Sequence, residues 1–95
     1  MEETVERVEL SIHGRVQGVG FRYFTMKTAK KLEGVTGWVK NEPDGSVSVG
    51  AEGPKLGLNK LIRSLGQGPR SARVDEMKQN WSEPTGELQG FKIKH

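Results

Sequence analysis

Residues 14–22 read Gly14-Arg15-Val16-Gln17-Gly18-Val19-Gly20-Phe21-Arg22, and this segment marks the change from a strand pattern to a helix pattern. Before it, Val8, Leu10 and Ile12 alternate with polar residues, which is typical of a strand with one buried face. After it, one face of an amphipathic helix is formed by Phe21, Phe24, Thr25, Thr28, Ala29 and Leu32. The pattern predicts a strand, a glycine-rich turn and a helix that Gly34 ends.

The composition of the turn is suited to binding phosphate. Glycine has no Cβ, so the backbone can approach a ligand closely and can adopt positive φ. Backbone N–H groups in such a turn, and those at the start of the following helix, can converge on one anion. Arg22 adds a permanent charge and a planar fork that matches phosphate oxygens. We call residues 15–22 the cradle loop and predict that it binds phosphate through Arg15, Val16, Gln17, Gly18, Val19, Gly20, Phe21 and Arg22.

The rest of the chain predicts three further main strands, one more helix and a short edge strand. Strand patterns cover residues 35–41 and 46–52, joined by the turn Glu42-Pro43-Asp44-Gly45. A helix follows Gly53-Pro54, with the stripe Leu58, Leu61, Ile62 and Leu65, and Gly66 is expected to end it. Residues 71–81 predict a strand whose imperfect alternation indicates a bulge near residues 75–77. Residues 88–93 supply the edge strand.

This order predicts an α+β fold, the ferredoxin-like split β-α-β sandwich (βαββαβ), with an antiparallel sheet and both helices on one face. We expect one domain over residues 1–95. The right-handed crossover makes the first two strands parallel, so their carboxyl ends lie at the same end of the sheet. Arg22 and Asn41 are therefore expected to face the same small space.

Composition narrows the class of protein. The chain has 95 residues, 33% hydrophobic and 28% charged, which indicates a folded domain rather than a disordered one. There is no cysteine, so disulfides and a thiol nucleophile are excluded. Glu2, Glu3 and Glu6 stand where a leader would be apolar, and we expect a cytoplasmic protein with no membrane partner. The net charge of +3 is spread among acidic residues, which favours small anions over nucleic acid.

The first motif resembles one signature of the acylphosphatase family, and a second motif supports the resemblance. Gly37-Trp38-Val39-Lys40-Asn41, followed by Gly45-Ser46-Val47 and Gly53, is similar to the family's second signature at full spacing. The resemblance implies hydrolysis of small acyl phosphates to carboxylate and inorganic phosphate without metal or other cofactor. It also implies that Arg22 holds the phosphoryl oxygens. We expect inorganic phosphate to compete with substrate, and we expect a monomer.

The residues also indicate the chemistry. The cradle loop offers neither Cys nor Ser as a nucleophile, so we expect water to attack, and Asn41 can orient it by accepting and donating hydrogen bonds. An amide is no useful base. The leaving carboxylate has a parent pKa of roughly 4–5, so no general acid is required. Because the motifs contain no base, we expect the water's proton to pass to the phosphoryl group, with no pH limb from a protein carboxylate or histidine.

Alternative roles are open for several residues. Arg15 could be a second phosphate ligand, but a solvated or carboxylate-paired role is favoured. His13 and His95 have no partner at ligand spacing, so no metal site is expected.

Two other functions belong to different classes. An RNA-binding sheet would need exposed aromatic residues on its central strands, and residues 46–50 contain none. An anion-binding domain without catalysis would keep the cradle loop but would not need both Arg22 and Asn41.

Overall fold

The computed structural model describes residues 4–95, so Glu2 and Glu3 lie outside the described residues. The elements are β1 (Val5–Arg15), α1 (Phe21–Lys30), β2 (Thr36–Asn41), β3 (Val47–Pro54), α2 (Lys55–Gln67), β4 (Arg73–Ser82) and β5 (Phe91–Lys94). This is the predicted β-α-β-β-α-β order with the expected additional strand. No helix within residues 4–95 is long and apolar enough to cross a membrane.

The strands form one sheet in the order β4-β1-β3-β2-β5. β3 lies between β1 and β2 and is antiparallel to both, and β4 is antiparallel to β1. β1 and β2 are therefore parallel, and their carboxyl ends meet at one end of the sheet, as predicted. β5 is parallel to β2, so the complete sheet is mixed.

The core lies between the helices and one face of this sheet. Val8, Leu10 and Ile12 on β1 are buried, while the residues between them are polar. The two helices bury the stripes that the sequence predicts, formed by Phe21, Thr25 and Ala29 in α1 and by Leu58, Leu61 and Leu65 in α2. The buried Thr25 hydroxyl donates to the Phe21 carbonyl over 2.9 Å, so its polar atom is satisfied inside the core.

The structure corrects the two predicted helix ends. α1 ends at Lys30 rather than continuing to Gly34, because the N–H of Leu32 bonds to the Ala29 carbonyl over 3.0 Å in a tighter turn. α2 passes through Gly66 and ends at Gln67. Gly68 follows as the C-cap with φ of 69°, and its N–H bonds to the Ser64 carbonyl over 3.0 Å.

The predicted bulge is confirmed where the sheet meets the cradle loop. His13 pairs with Glu76 and Gly14 with Val74, so Asp75 is the extra residue on β4. Gly14 has φ of 136°, and a Cβ there would overlap the Arg73 carbonyl oxygen. The backbones of β1 and β4 therefore approach closely at the point where the chain leaves the sheet for the cradle loop.

Candidate active site

A cavity of about 210 Å³ lies at the common carboxyl end of β1 and β2. It is lined by Val16, Gly18, Gly20, Phe21, Arg22, Tyr23, Asn41, Ile93 and His95. Arg22 and Asn41 therefore share one cavity, as the topology predicts, although 19 positions separate them in sequence.

The cradle loop presents unoccupied backbone donors beside this cavity. Gly18 and Gly20 have φ of 73° and 78°, and Gly20 is the N-cap of α1 with no side-chain capping bond. α1 carries no acidic residue in its first turn. Within residues 4–95, the N–H groups of residues 17–20 donate to no backbone acceptor. Donors and the positive end of a helix dipole thus lie together, an arrangement that favours an anion.

Arg22 supplies a positive charge at the cavity. It is half-buried in the first turn of α1, where its side chain reaches the cavity wall. No carboxylate of the described residues lies within ion-pair distance of its guanidinium. Its fork is therefore not neutralised by those residues and can accept a phosphate-like ligand in bidentate fashion.

Gln17 connects the cradle loop to the turn that follows Asn41. Its side-chain amide donates to the carbonyl oxygens of Glu42 over 2.8 Å and Ser46 over 2.9 Å. The turn is itself fixed by Asp44, whose carboxylate accepts from the Ser46 hydroxyl over 2.6 Å and the Ser46 N–H over 2.9 Å. The bond from the hydroxyl holds the pKa of Asp44 below its usual value, with a smaller effect of the N–H.

Asn41 is the last residue of β2 and pairs with Val47 on β3. Its half-buried side chain lines the same cavity as the cradle loop. A carboxamide there can accept one hydrogen bond from water while donating another to an oxyanion.

Three side chains of the predicted cradle loop do not line the cavity. Arg15 is exposed at the end of β1, where it pairs with Arg73 in the ladder. Val19 packs against the core, and the Gln17 side chain is directed to the β2–β3 turn. The other five loop residues line the cavity.

The cavity also includes three residues that the sequence analysis did not assign to the site, namely Tyr23, Ile93 and His95. β5 pairs with β2 in parallel, with Ile93 beside Val39 and Lys94 beside Lys40. Asn41 and His95 are the residues that follow this last pair, and both line the cavity. The two-residue alternation of Phe91, Ile93 and His95 places them on one face, but it does not reveal which strand β5 joins or in which direction.

The fold is a small α+β sandwich, and Arg22, Asn41 and the glycine-rich loop meet in one cavity at an end of its sheet. The acylphosphatase family model matches residues 8–93. An acylphosphatase of Salinibacter ruber is 50% identical over 91 residues, which cover 96% of this chain and 95% of the relative. The crystal structure of an acylphosphatase from Bacillus subtilis superposes with a TM-score of 0.90 at 34% identity, covering 97% of this chain and 100% of that chain. The chain therefore belongs to the acylphosphatase family and is a hydrolase acting on acyl phosphates.

Proposed function

We propose that the cradle loop and Arg22 hold the phosphoryl group of a small acyl phosphate while Asn41 orients the attacking water. The observation that supports this division most strongly is the single cavity shared by Arg22, Asn41 and the backbone of Gly18 and Gly20. The reaction breaks the carboxyl–phosphate bond and releases a carboxylate and inorganic phosphate.

The cradle loop stabilises charge. In phosphoryl transfer, negative charge spreads over the three equatorial oxygens, and fixed donors aimed at them lower the barrier. The N–H groups at the start of α1 supply such donors, and Arg22 supplies a permanent cation. Because both are fixed by the fold before substrate binds, little reorganisation accompanies the reaction.

Asn41 positions the attacking water. Its carboxamide holds the water close to phosphorus but cannot remove a proton from it. The leaving carboxylate, with a parent pKa of roughly 4–5, departs without protonation. Orientation and charge stabilisation therefore suffice for the bond-breaking step.

The cavity's size indicates small substrates. Its volume of about 210 Å³ lies below the roughly 300–1,000 Å³ of pockets that enclose drug-sized ligands. It has room for a phosphoryl group and part of a small acyl group, and the product phosphate is expected to compete with substrate. We also propose a monomer in the cytoplasm, since Arg22, Asn41 and the cradle loop meet within one chain and a cysteine-free sequence suits a reducing compartment.

Hydrolysis of benzoyl phosphate, with and without a chelator and with inorganic phosphate as competitor, tests this proposal. We expect rapid turnover that a chelator does not change and that phosphate inhibits competitively. Turnover abolished by the chelator, or phosphate without effect, would overturn it.

A further inference from the structure

We propose that the sheet face opposite the helices binds single-stranded nucleic acid, with one base stacked on Trp38 and the adjacent phosphates paired with Lys92 and Lys94. This surface shares no lining residue with the cavity that contains Arg22 and Asn41. The central strand β3 itself contains no aromatic residue, but the indole of Trp38 on β2 lies over it. The fold thus supplies the stacking platform that the residues of β3 do not.

The indole of Trp38 lies flat on β3. Trp38 alternates with the buried residues Gly37 and Val39, so its side chain is on the face that the helices leave open. It pairs with Gly50, where a Cβ would lie 2.5 Å from Cε2 of the indole and 2.7 Å from Nε1. Because the nearest atom, Cε2, is shared by the two rings, Gly50 meets a face of the indole rather than its rim. The other face is therefore directed away from the sheet.

Three lysines surround this indole. The ammonium group of Lys94 lies 4.9 Å from the ring centroid, and that of Lys40 lies 5.9 Å from it. Lys92 is the residue beside Trp38 in the β2–β5 ladder, and alternation puts it on the same face. Lys92 and Lys94 are exposed, and no carboxylate within residues 4–95 is at ion-pair distance from either. Their charges are therefore available to phosphate groups.

Three carboxylates on the same face are already paired. Glu42 lies 3.7 Å from the Lys40 ammonium. Glu9 and Glu52 both pair with Arg7, over 3.1 Å and 2.7 Å. Repulsion of a polyanion by these groups is reduced by their partners, and the unpaired positive charge is concentrated on β5.

A cavity of about 230 Å³ borders the indole. Trp38, Lys92 and Lys94 form one part of its lining, and residues 87–89 of the loop before β5 form another. Glu87 is the one acidic residue of this lining, beside two lysines. The cavity therefore offers a site with a net positive charge next to the aromatic ring, with room for part of a nucleotide.

This combination favours single-stranded nucleic acid over other anions. A base has a π-face that stacks on an aromatic ring, and each nucleotide brings a phosphate to the charges beside the ring. In a duplex, neighbouring bases cover these faces. An acidic peptide would use the charges but leave the indole without a partner. The flexible stem of Lys94 allows its ammonium group to move from the ring to a phosphate when a base takes its place.

Fluorescence of Trp38 tests the proposal. The chain has two tryptophans, so Trp81→Phe leaves Trp38 as the reporter. Single-stranded oligo(dT) and oligo(U) of about eight nucleotides should quench this emission, and a duplex of the same length should not. Saturating inorganic phosphate should not displace the oligonucleotides, because phosphate is expected to occupy the cradle loop.

Four variants separate stacking from general attraction. Trp38→Leu should weaken the binding of a labelled oligonucleotide roughly tenfold. Lys92→Gln and Lys94→Gln should each reduce the slope of log K against log salt by about 0.7. Lys60→Gln, the same change at an exposed position of α2, should leave that slope unchanged. The lysine variants should keep wild-type turnover of benzoyl phosphate, which shows that they are folded.

Several results would overturn the proposal. They are unchanged Trp38 emission at low salt, displacement of the oligonucleotides by phosphate, and equal effects of Lys60→Gln and Lys92→Gln. Quenching of equal strength by the duplex or by an oligo-glutamate peptide would show a polyanion surface without stacking, which also contradicts it. These binding measurements do not depend on turnover, so the proposed function stands or fails separately.

Discussion

The side-chain amide of Gln17 lies 2.8 Å from the carbonyl oxygen of Glu42, the residue directly after Asn41. This bond joins the two halves of the site, because Gln17 is in the cradle loop and Glu42 begins the β2–β3 turn. A second bond from the same amide to the Ser46 carbonyl, over 2.9 Å, fixes the orientation of the side chain. The distance between the cradle loop and Asn41 is thus set by a direct contact as well as by the sheet.

Gln17→Ala is expected to reduce activity more than stability. The Glu42 carbonyl still accepts from the Gly45 N–H in this variant, and the Ser46 carbonyl still accepts from the Glu42 N–H. The loss of stability on removing Gln17 should therefore be about 1 kcal/mol. A small misplacement of the cradle loop should lower kcat/KM by roughly tenfold or more. Kinetics and urea unfolding of Gln17→Ala measure the two effects. Gln67→Ala, at an exposed glutamine in α2, is the matched control. Wild-type kcat/KM in Gln17→Ala would show that the sheet alone sets the geometry.

Glu52 anchors the loop that leads to β5. Its carboxylate accepts from the N–H and hydroxyl of Thr85, both over 2.9 Å, from the N–H of Gly86 over 3.0 Å and from Arg7 over 2.7 Å. Burial opposes ionisation of this carboxyl group, which is only 4% exposed. The hydrogen bonds from Thr85, Gly86 and Arg7 outweigh burial and lower the pKa of Glu52 to about 2.

The lowered pKa of the Glu52 carboxyl group predicts that the protein loses stability in acid. The folded-state pKa of about 2 lies below the value of about 4.3 in an unfolded chain, so the stabilisation is complete above about pH 5 and is lost as the pH falls towards 2. Glu52→Gln should remove this contribution and cost about 2 kcal/mol at neutral pH. Urea midpoints measured across this pH range should converge for wild type and Glu52→Gln at low pH. Glu87→Gln, at an exposed position of the same loop, should keep the wild-type dependence, and parallel curves for Glu52→Gln would contradict the assignment.

Replacing two glycines by alanine, one at a time, is expected to change the stability of the protein in opposite directions. A Cβ at Gly66 in α2 meets no atom within 4 Å, so Gly66→Ala should stabilise the protein by about 0.5–1 kcal/mol. A Cβ at Gly50 in β3 would lie 2.5 Å from the indole of Trp38, so Gly50→Ala should destabilise by about 1–3 kcal/mol. Urea unfolding of both variants at one pH measures the difference. A destabilised Gly66→Ala, or a neutral Gly50→Ala, would refute the packing described for that site.

Sequence periodicity was sufficient for the main strands, the two helices and the meeting of Arg22 with Asn41, because each depends on local patterns and on crossover handedness. Periodicity failed at both helix ends. Gly34 has φ of 79° but lies beyond the tighter turn after Lys30, and Gly66 does not take up the positive φ that ends a helix. Periodicity also does not show why Gly50 is a glycine, which depends on the close contact with Trp38 across the β2–β3 pair. The places of Gln17 and His95 depend on contacts between distant segments, which no local pattern contains.

The most direct test of the central claim compares Arg22→Ala with Asn41→Ala in turnover and in binding of inorganic phosphate. Both variants should lose most turnover of benzoyl phosphate. Arg22→Ala should also weaken phosphate binding, and Arg22→Lys should not restore it, because a point charge lacks the fork. Asn41→Ala should bind phosphate nearly as well as the wild type, because the role proposed for its side chain is to position water. Equal weakening of phosphate binding in the two alanine variants, or wild-type turnover in Asn41→Ala, would contradict this division of roles.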